Sequence, residues 1–207
     1  MTAHAAVTRL AAALGCAALL ATSAVAAPAA AGAAPGAERQ ADELELDGVV
    51  DLFDPDYLRQ PINVARLPLR HAVTIVHGRG ERELYTFEDP NCGYCRELTR
   101  RLAAIGNVTV HTYMIALLGE DSQAKAHQVW CAADRAGAWQ AVMNGRPAPP
   151  ARADCRAPLE ETSRLAEVLG INFTPTVFFA DGSRMVGLKP RAEIEQRLRD
   201  AVARKTN

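Results

Sequence analysis

The stretch from Glu83 to Ile105 constrains the fold most strongly, because it places a Cys-x-x-Cys motif where a strand gives way to a helix. Residues 84–87 carry the aromatic and β-favouring side chains of a short strand, and the Asp-Pro-Asn sequence at 89–91 ends it. The apolar residues that follow recur at i, i+4 and i+7 and predict one buried face of a helix: Leu98, Leu102 and Ile105. The backbone therefore changes from strand to helix at the motif itself.

The two cysteines of this motif occupy different positions on the predicted helix. Cys95 lies three residues before Leu98 and falls on the buried face, whereas Cys92 lies at the N-terminal end. Unpaired backbone N–H groups and the helix dipole favour an anion at that end, and a thiolate is such an anion. We therefore expect the pKa of Cys92 to lie below the free value of about 8.5. Cys92 is the predicted attacking sulfur and Cys95 the resolving partner.

A Cys-x-x-Cys motif is also half of many zinc sites, and it can form an inert disulfide. The other two cysteines of the C-terminal part, Cys131 and Cys155, do not form a second close pair, and no His-x-x-x-His sequence follows them. The pattern therefore favours redox chemistry at the motif, with no metal and no cofactor. A zinc-binding structural module remains an alternative.

Residues 1–26 have the pattern of a secretory signal peptide. Arg9 ends a short basic segment, residues 10–21 are rich in Ala and Leu, and the Ala-Val-Ala sequence at 24–26 offers small residues for cleavage. A membrane anchor and a lipoprotein modified at Cys16 are the alternatives. The apolar run is short for a membrane anchor, and it continues beyond Cys16, which argues against a lipoprotein. Without Cys16, an exported chain keeps four cysteines, an even number that is consistent with two pairs.

The charge balance argues against nucleic acid as a partner. The sequence has 23 Lys and Arg and 24 Asp and Glu residues, and loss of residues 1–26 removes only Arg9, so 22 − 24 leaves a net charge of −2. Residues 27–66 are expected to be a linker and a short N-terminal extension before a catalytic domain at 67–207. The apolar residues between Leu44 and Phe53 either pack on that domain or associate with a second copy.

The periodicity beyond the extension predicts the order β-β-α-β, helices, β-β-α. Strands at 72–76 and 83–87 are expected to form a hairpin, and a right-handed crossover to a strand at 108–115 places Cys92 at the carboxyl edge of a sheet. A helical insertion is expected within 121–170. The remaining predicted elements are strands at 176–180 and 184–186 and a helix that starts after Pro190.

Three motifs resemble the DsbC/DsbG family of periplasmic thiol:disulfide interchange proteins. They are the Phe-Glu-Asp-Pro-Asn-Cys-Gly-Tyr-Cys sequence at 87–95, the Trp-Cys-Ala-Ala-Asp sequence at 130–134, and Phe-Thr-Pro-Thr at 173–176. The resemblance covers roughly residues 67–202. It implies an α/β, thioredoxin-like fold, in which helices flank a central mixed sheet, with a helical insertion.

The resemblance also implies roles for particular residues. Cys92 and Cys95 correspond to the redox centre of the family, and the intervening Gly93 and Tyr94 resemble its isomerase branch. The dipeptide Thr174-Pro175 matches the cis-proline element of the family, which faces the active-site disulfide and offers backbone groups to an extended substrate. Gly93, Tyr94, Thr174 and Pro175 are thus the expected substrate-binding residues.

Cys131 and Cys155 match the second, structural disulfide of the family, and a second redox couple is the alternative. The expected location is the periplasm, and the expected partners are exported proteins with cysteines and a membrane-bound redox protein. Family members also carry an N-terminal dimerisation domain, and residues 27–66 are too few for it, so a monomer or a weak homodimer is expected. A chaperone-like binder of unfolded exported proteins, with redox chemistry secondary, is the other functional alternative.

Overall fold

The computed structural model describes residues 49, 56 and 59–205. Its strands are β1 (Val73–His77), β2 (Arg82–Glu88), β3 (Val108–Met114), β4 (Thr176–Phe179) and β5 (Arg184–Val186). Its helices are α1 (Gly93–Ile105), α2 (Glu120–Cys131), α3 (Arg135–Met143), α4 (Leu159–Val168) and α5 (Arg191–Lys205). The predicted signal peptide and most of the predicted linker and extension lie outside the described residues.

The five strands form one sheet in the order β1-β3-β2-β4-β5. The β2 and β3 strands run parallel, whereas β1 is antiparallel to β3, and β4 is antiparallel to both β2 and β5. The parallel pair is connected through α1, as a parallel crossover requires. This is the predicted mixed sheet flanked by helices, and the predicted thioredoxin-like fold class is confirmed.

The predicted hairpin between β1 and β2 is wrong, because β3 lies between them. Val110 in β3 is opposite Ile75 of β1 on one side and opposite Leu84 of β2 on the other. The two outer strands are thus about 10 Å apart, a distance that the four residues at 78–81 can bridge, since they extend to about 13 Å. Gly80 adopts a φ of 67° at this crossing, and a Cβ there would lie 2.6 Å from the Thr109 hydroxyl.

Three clusters of buried side chains fill the two faces of the sheet. In one of them, Leu98 and Leu102 of α1 pack with Leu198 of α5 against buried side chains of β2 and β3. A second cluster lies under α4 and contains the stacked rings of Phe87 and Tyr113. The third cluster joins α2 and α3 to Cys92 and Cys95, and its largest members are Trp130, Trp139, Met114 and Met143. The helical insertion therefore packs directly against the cysteine motif.

The core extends to residues before the predicted domain start at 67. Ile62, Val64 and Val49 are buried in the cluster under α4. The Ile62 N–H donates to the Gly182 carbonyl at 3.1 Å, and the Asn63 N–H donates to the Val49 carbonyl at 2.8 Å.

In the part of the chain that the structure describes, no helix has the length and hydrophobicity of a membrane span.

Candidate redox site

Helix α1 begins directly after Cys92, whose side chain caps it. The Cys95 backbone N–H donates to the Cys92 Sγ at 3.3 Å, and the Cys92 N–H donates to the Asp89 carbonyl at 3.0 Å. Both thiols are free; Cys92 has 6% of its surface exposed and Cys95 has none. The strand-to-helix turn thus holds one sulfur at the helix start and the other on the buried face, as the apolar spacing predicts.

A second segment, far away in sequence, approaches the same sulfur. The peptide bond between Thr174 and Pro175 is cis, and the Thr174 carbonyl lies 3.4 Å from the Cys92 Sγ. Pro175 is buried and its carbonyl accepts a hydrogen bond from the Gly187 N–H at 2.8 Å, which connects this segment to the end of β5. The structure thus brings the two sequence motifs together at Cys92.

Gly93 and Tyr94, the residues between the two cysteines, face outward. Both are exposed, and a Cβ added at Gly93 would have no atom within 4 Å. Tyr94 leaves 67% of its surface in solvent. The approach to Cys92 therefore lies between an open helix start and the cis-proline segment.

The surroundings of the two thiols shift their pKa values in opposite directions. The pKa of Cys92 is lowered to about 6, chiefly because the Cys95 thiol donates a hydrogen bond to it. Burial opposes this effect, and further hydrogen bonds with Thr174 and from the backbone N–H groups of Cys95 and Tyr94 support it. Burial raises the pKa of Cys95, and its hydrogen bond to Cys92 and the charges of Glu88 and Cys92 raise it further. At neutral pH, Cys92 is therefore a thiolate and Cys95 a thiol.

Glu88, the last residue of β2, is a buried acid beside the site that sequence reasoning missed. It is 1% exposed; its Oε1 accepts from the Thr86 hydroxyl at 2.6 Å, and its Oε2 is buried without a hydrogen-bond partner. Burial raises its pKa to about 7, and the Cys92 charge raises it as well. The available signal was a charged residue in an otherwise apolar and aromatic run, four positions before Cys92.

Asp89 connects the redox loop to the helical insertion through hydrogen bonds. The redox loop consists of residues 89–92, between β2 and α1. It is fully buried, and its Oδ1 accepts from the Asn91 N–H at 2.7 Å and from the Ser122 hydroxyl at 2.6 Å. Its Oδ2 accepts from the Leu118 N–H at 2.9 Å. The carboxylate thus has partners on the loop, on α2 and on the segment before α2. Its position before proline suggested only a turn.

The other two cysteines form a disulfide within the insertion. Cys131, the last residue of α2, is bonded to Cys155 in the connection between α3 and α4. The His127 Nε2 lies 3.2 Å from the Cys155 carbonyl oxygen and 3.6 Å from the Cys131 Sγ. Among the described residues, no group of three or more His, Cys, Asp or Glu side chains is arranged to hold a metal ion.

Curated proteins that are similar to this chain are named thiol:disulfide interchange proteins. A probable thiol:disulfide interchange protein DsbC from Bordetella avium is 42% identical over 140 residues, which is 66% of this chain and 49% of that protein. The DsbC of Escherichia coli K12 is 32% identical over 115 residues, which is 53% of this chain and 48% of that protein. The chain thus spans about half the length of the curated relatives it matches.

Solved structures agree with the fold. A disulfide interchange protein from Neisseria gonorrhoeae superposes with a TM-score of 0.60 at 32% identity, covering 65% of this chain and 98% of that one. The catalytic domain of Proteus mirabilis ScsC superposes with a TM-score of 0.55 at 19% identity, covering 80% and 98%, and supports the fold alone. Residues 69–202 match the family described as a thioredoxin-like domain. With the sheet order, the capping cysteine and the cis-proline segment all in place, this match shows that the chain belongs to the thioredoxin-like family.

Proposed function

We propose that this chain is a thiol:disulfide oxidoreductase and isomerase that acts on the disulfides of exported proteins in the periplasm. The observation that carries the proposal is the Cys92 sulfur at the start of α1, which accepts hydrogen bonds from Cys95 and has a pKa lowered to about 6. Because the thiolate is the reactive form of cysteine, Cys92 is the nucleophile and Cys95 the resolving thiol. The names of the two DsbC relatives and of the Neisseria gonorrhoeae protein, all disulfide interchange proteins, support the same reaction.

The reaction proceeds by two thiol–disulfide exchanges. The Cys92 thiolate attacks one sulfur of a substrate disulfide; the bond between the substrate sulfurs breaks, and the leaving thiolate takes up a proton. Cys95 then loses its proton and attacks the Cys92 Sγ, which releases the second substrate thiol. The Cys92–Cys95 pair gives up two electrons, and the substrate is reduced. Reversal donates a disulfide, and rearrangement of the mixed disulfide isomerises the substrate.

The proposed substrate-binding residues are Gly93, Tyr94, Thr174 and Pro175. The exposed Gly93 leaves space for a polypeptide beside Cys92. Thr174 is half-buried and its carbonyl already faces the sulfur that would carry the mixed disulfide. An extended substrate can therefore form backbone hydrogen bonds along this segment while its sulfur lies at Cys92. Cys131 and Cys155 are proposed to be structural.

The proposed partners follow from the chemistry. Each net oxidation or reduction of substrate leaves Cys92 and Cys95 in the wrong state for the next cycle, so a membrane-bound redox protein is proposed to restore them. The proposed assembly is a monomer or a weak homodimer. Light scattering on the mature protein measures the assembly, and a stable dimer would contradict it.

The test combines activity with trapping of the intermediate. Reduced wild-type protein should reduce the interchain disulfides of insulin, and the Cys95→Ser variant should accumulate a mixed disulfide with insulin through Cys92. Refolding of a scrambled disulfide protein measures isomerase activity in the same preparation. Absence of both the insulin reaction and the mixed disulfide would overturn the proposed function.

A further inference from the structure

Arg96 directly follows the cysteine motif, and no carboxylate among the described residues pairs with it. The two later arginines of α1 differ, because Arg100 and Arg101 both donate to the Glu97 carboxylate at 2.9 Å. Arg96 is half-buried and its Nε is buried, so its side chain packs on the protein. Its two Nη groups are reached by solvent and form no hydrogen bond within the described part of the chain.

Arg96 lies one helical turn after Cys92. Its backbone N–H donates to the Cys92 carbonyl at 3.2 Å, and side chains four residues apart on a helix are neighbours. Helical side chains tilt toward the N-terminus, so the Arg96 side chain extends over the turn that contains Cys92 and Gly93. Gly93 is exposed, and a Cβ there would have no atom within 4 Å. The guanidinium therefore lies beside the open approach to Cys92.

The charge of Cys92 disfavours an acidic substrate unless a cation offsets it. A thiolate repels a carboxylate beside the substrate disulfide, and that carboxylate also raises the pKa of the substrate thiol, which makes it a poorer leaving group. Lys125, the cation bonded to the redox loop through Asn91, is already paired with Asp121 at 2.6 Å. Arg96, by contrast, keeps an unneutralised charge and free donors next to the motif.

We propose that Arg96 binds a carboxylate beside the reacting disulfide of a substrate protein and thereby favours acidic substrates. The proposal rests on the proposed function, since the carboxylate reaches Arg96 when the substrate sulfur is at Cys92. A guanidinium presents N–H donors in a planar fork that matches the oxygens of a carboxylate. Because packing already restricts the Arg96 side chain, less conformational freedom is lost when the carboxylate binds.

Two peptides test the preference, each with one cysteine in a disulfide with the same reporter thiol. One peptide carries Asp on both sides of the cysteine, and the other carries the isosteric Asn. Reduction by excess reduced protein is followed in a single turnover, and each rate constant is divided by that for dithiothreitol, which removes the intrinsic effect of Asp on the disulfide. The normalised rate constant should be about fivefold higher for the Asp peptide, as expected for an ion pair that stays partly in solvent.

Variants of α1 assign this preference to one residue. R96Q should lose the fivefold preference, and R96K should keep part of it, because lysine retains the charge but not the fork. The matched control is R100Q, since Arg100 is exposed, lies one turn further from Cys92 and shares Glu97 with Arg101. R100Q should keep the preference. Added salt should weaken the preference in the wild-type protein, because it screens the ion pair.

The outcomes separate this inference from the function beneath it. If neither peptide is reduced, the proposed function fails. If wild-type protein shows no preference, or if R96Q keeps it, Arg96 does not select substrates although the redox function stands. Arg96 is not among the groups that lower the pKa of Cys92, so alkylation of Cys92 in R96Q should keep its midpoint at about pH 6. A higher midpoint in R96Q would show that Arg96 acts on the thiolate and would also overturn the inference.

Discussion

The two cysteine pairs differ in where their first members lie on a helix, although Cys92 and Cys131 are both buried. Both pairs contribute to the same cluster of apolar side chains. Cys92 caps the start of α1, where free N–H groups stabilise a thiolate, whereas Cys131 is the last residue of α2, where free carbonyl groups do not. Burial alone therefore does not make a cysteine inert, because the hydrogen bonds that its sulfur accepts also set its reactivity.

The pairs also differ in the length of chain between their cysteines. The sequence separation of Cys92 and Cys95 is only three residues, about one helical turn, so a bond between them restricts the unfolded chain little. The separation of Cys131 and Cys155 is 24 residues, so their bond closes a long loop. The first pair is thus suited to exchange and the second to stabilisation.

The largest expected effect is the loss of activity in Cys92→Ser. Without the thiolate at the start of α1, reduction of insulin should fall to the uncatalysed rate, because Cys95 is buried and remains protonated. The double variant C131A/C155A should keep activity similar to wild type. Equal losses in the two proteins would remove the functional distinction between the pairs.

The second prediction concerns stability. Replacing both Cys131 and Cys155 by Ala should lower the free energy of unfolding by about 3.4 kcal/mol, the chain-entropy value for a loop of 24 residues. The double variant C92S/C95S should change it far less. Urea unfolding without reductant measures both, and a smaller loss in C131A/C155A than in C92S/C95S would contradict the account.

A smaller effect is expected for Glu88→Gln. Burial raises the pKa of this carboxyl from 4.5 to about 7, so the folded state holds a proton that the unfolded state has released. This stabilisation is full below pH 4.5 and is lost as the pH rises through about 7, a decrease on the order of 3 kcal/mol.

Unfolding of the oxidised protein between pH 4 and 8 measures the part of this decrease that burial causes, because neither Cys92 nor Cys95 titrates when they are joined in a disulfide. Glu88→Gln should flatten the profile, and Glu167→Gln, at an exposed position, should leave it unchanged. A wild-type profile as flat as that of Glu88→Gln would show that the acid titrates normally.

Local sequence patterns predicted the local features of this molecule. The spacing of Leu98 and Leu102 correctly located Cys95 on a buried face, since helical periodicity reports which side of an element is covered. The same patterns could not show that β3 inserts between β1 and β2, because strand neighbours are chosen by contacts distant in sequence. They also could not show the roles of Glu88 and Asp89, whose partners Thr112 and Ser122 come from other elements.

The pH dependence of alkylation at Cys92 tests the central claim most directly. Reduced protein is treated with limiting iodoacetamide from pH 4 to 10, and the labelled cysteine is identified by mass spectrometry. Because the Cys95 thiol and the backbone at the start of α1 lower the pKa of Cys92, its labelling rate should be half-maximal at about pH 6, with Cys95 unlabelled. A midpoint near the free cysteine pKa of about 8.5, or earlier labelling of Cys95, would contradict the account.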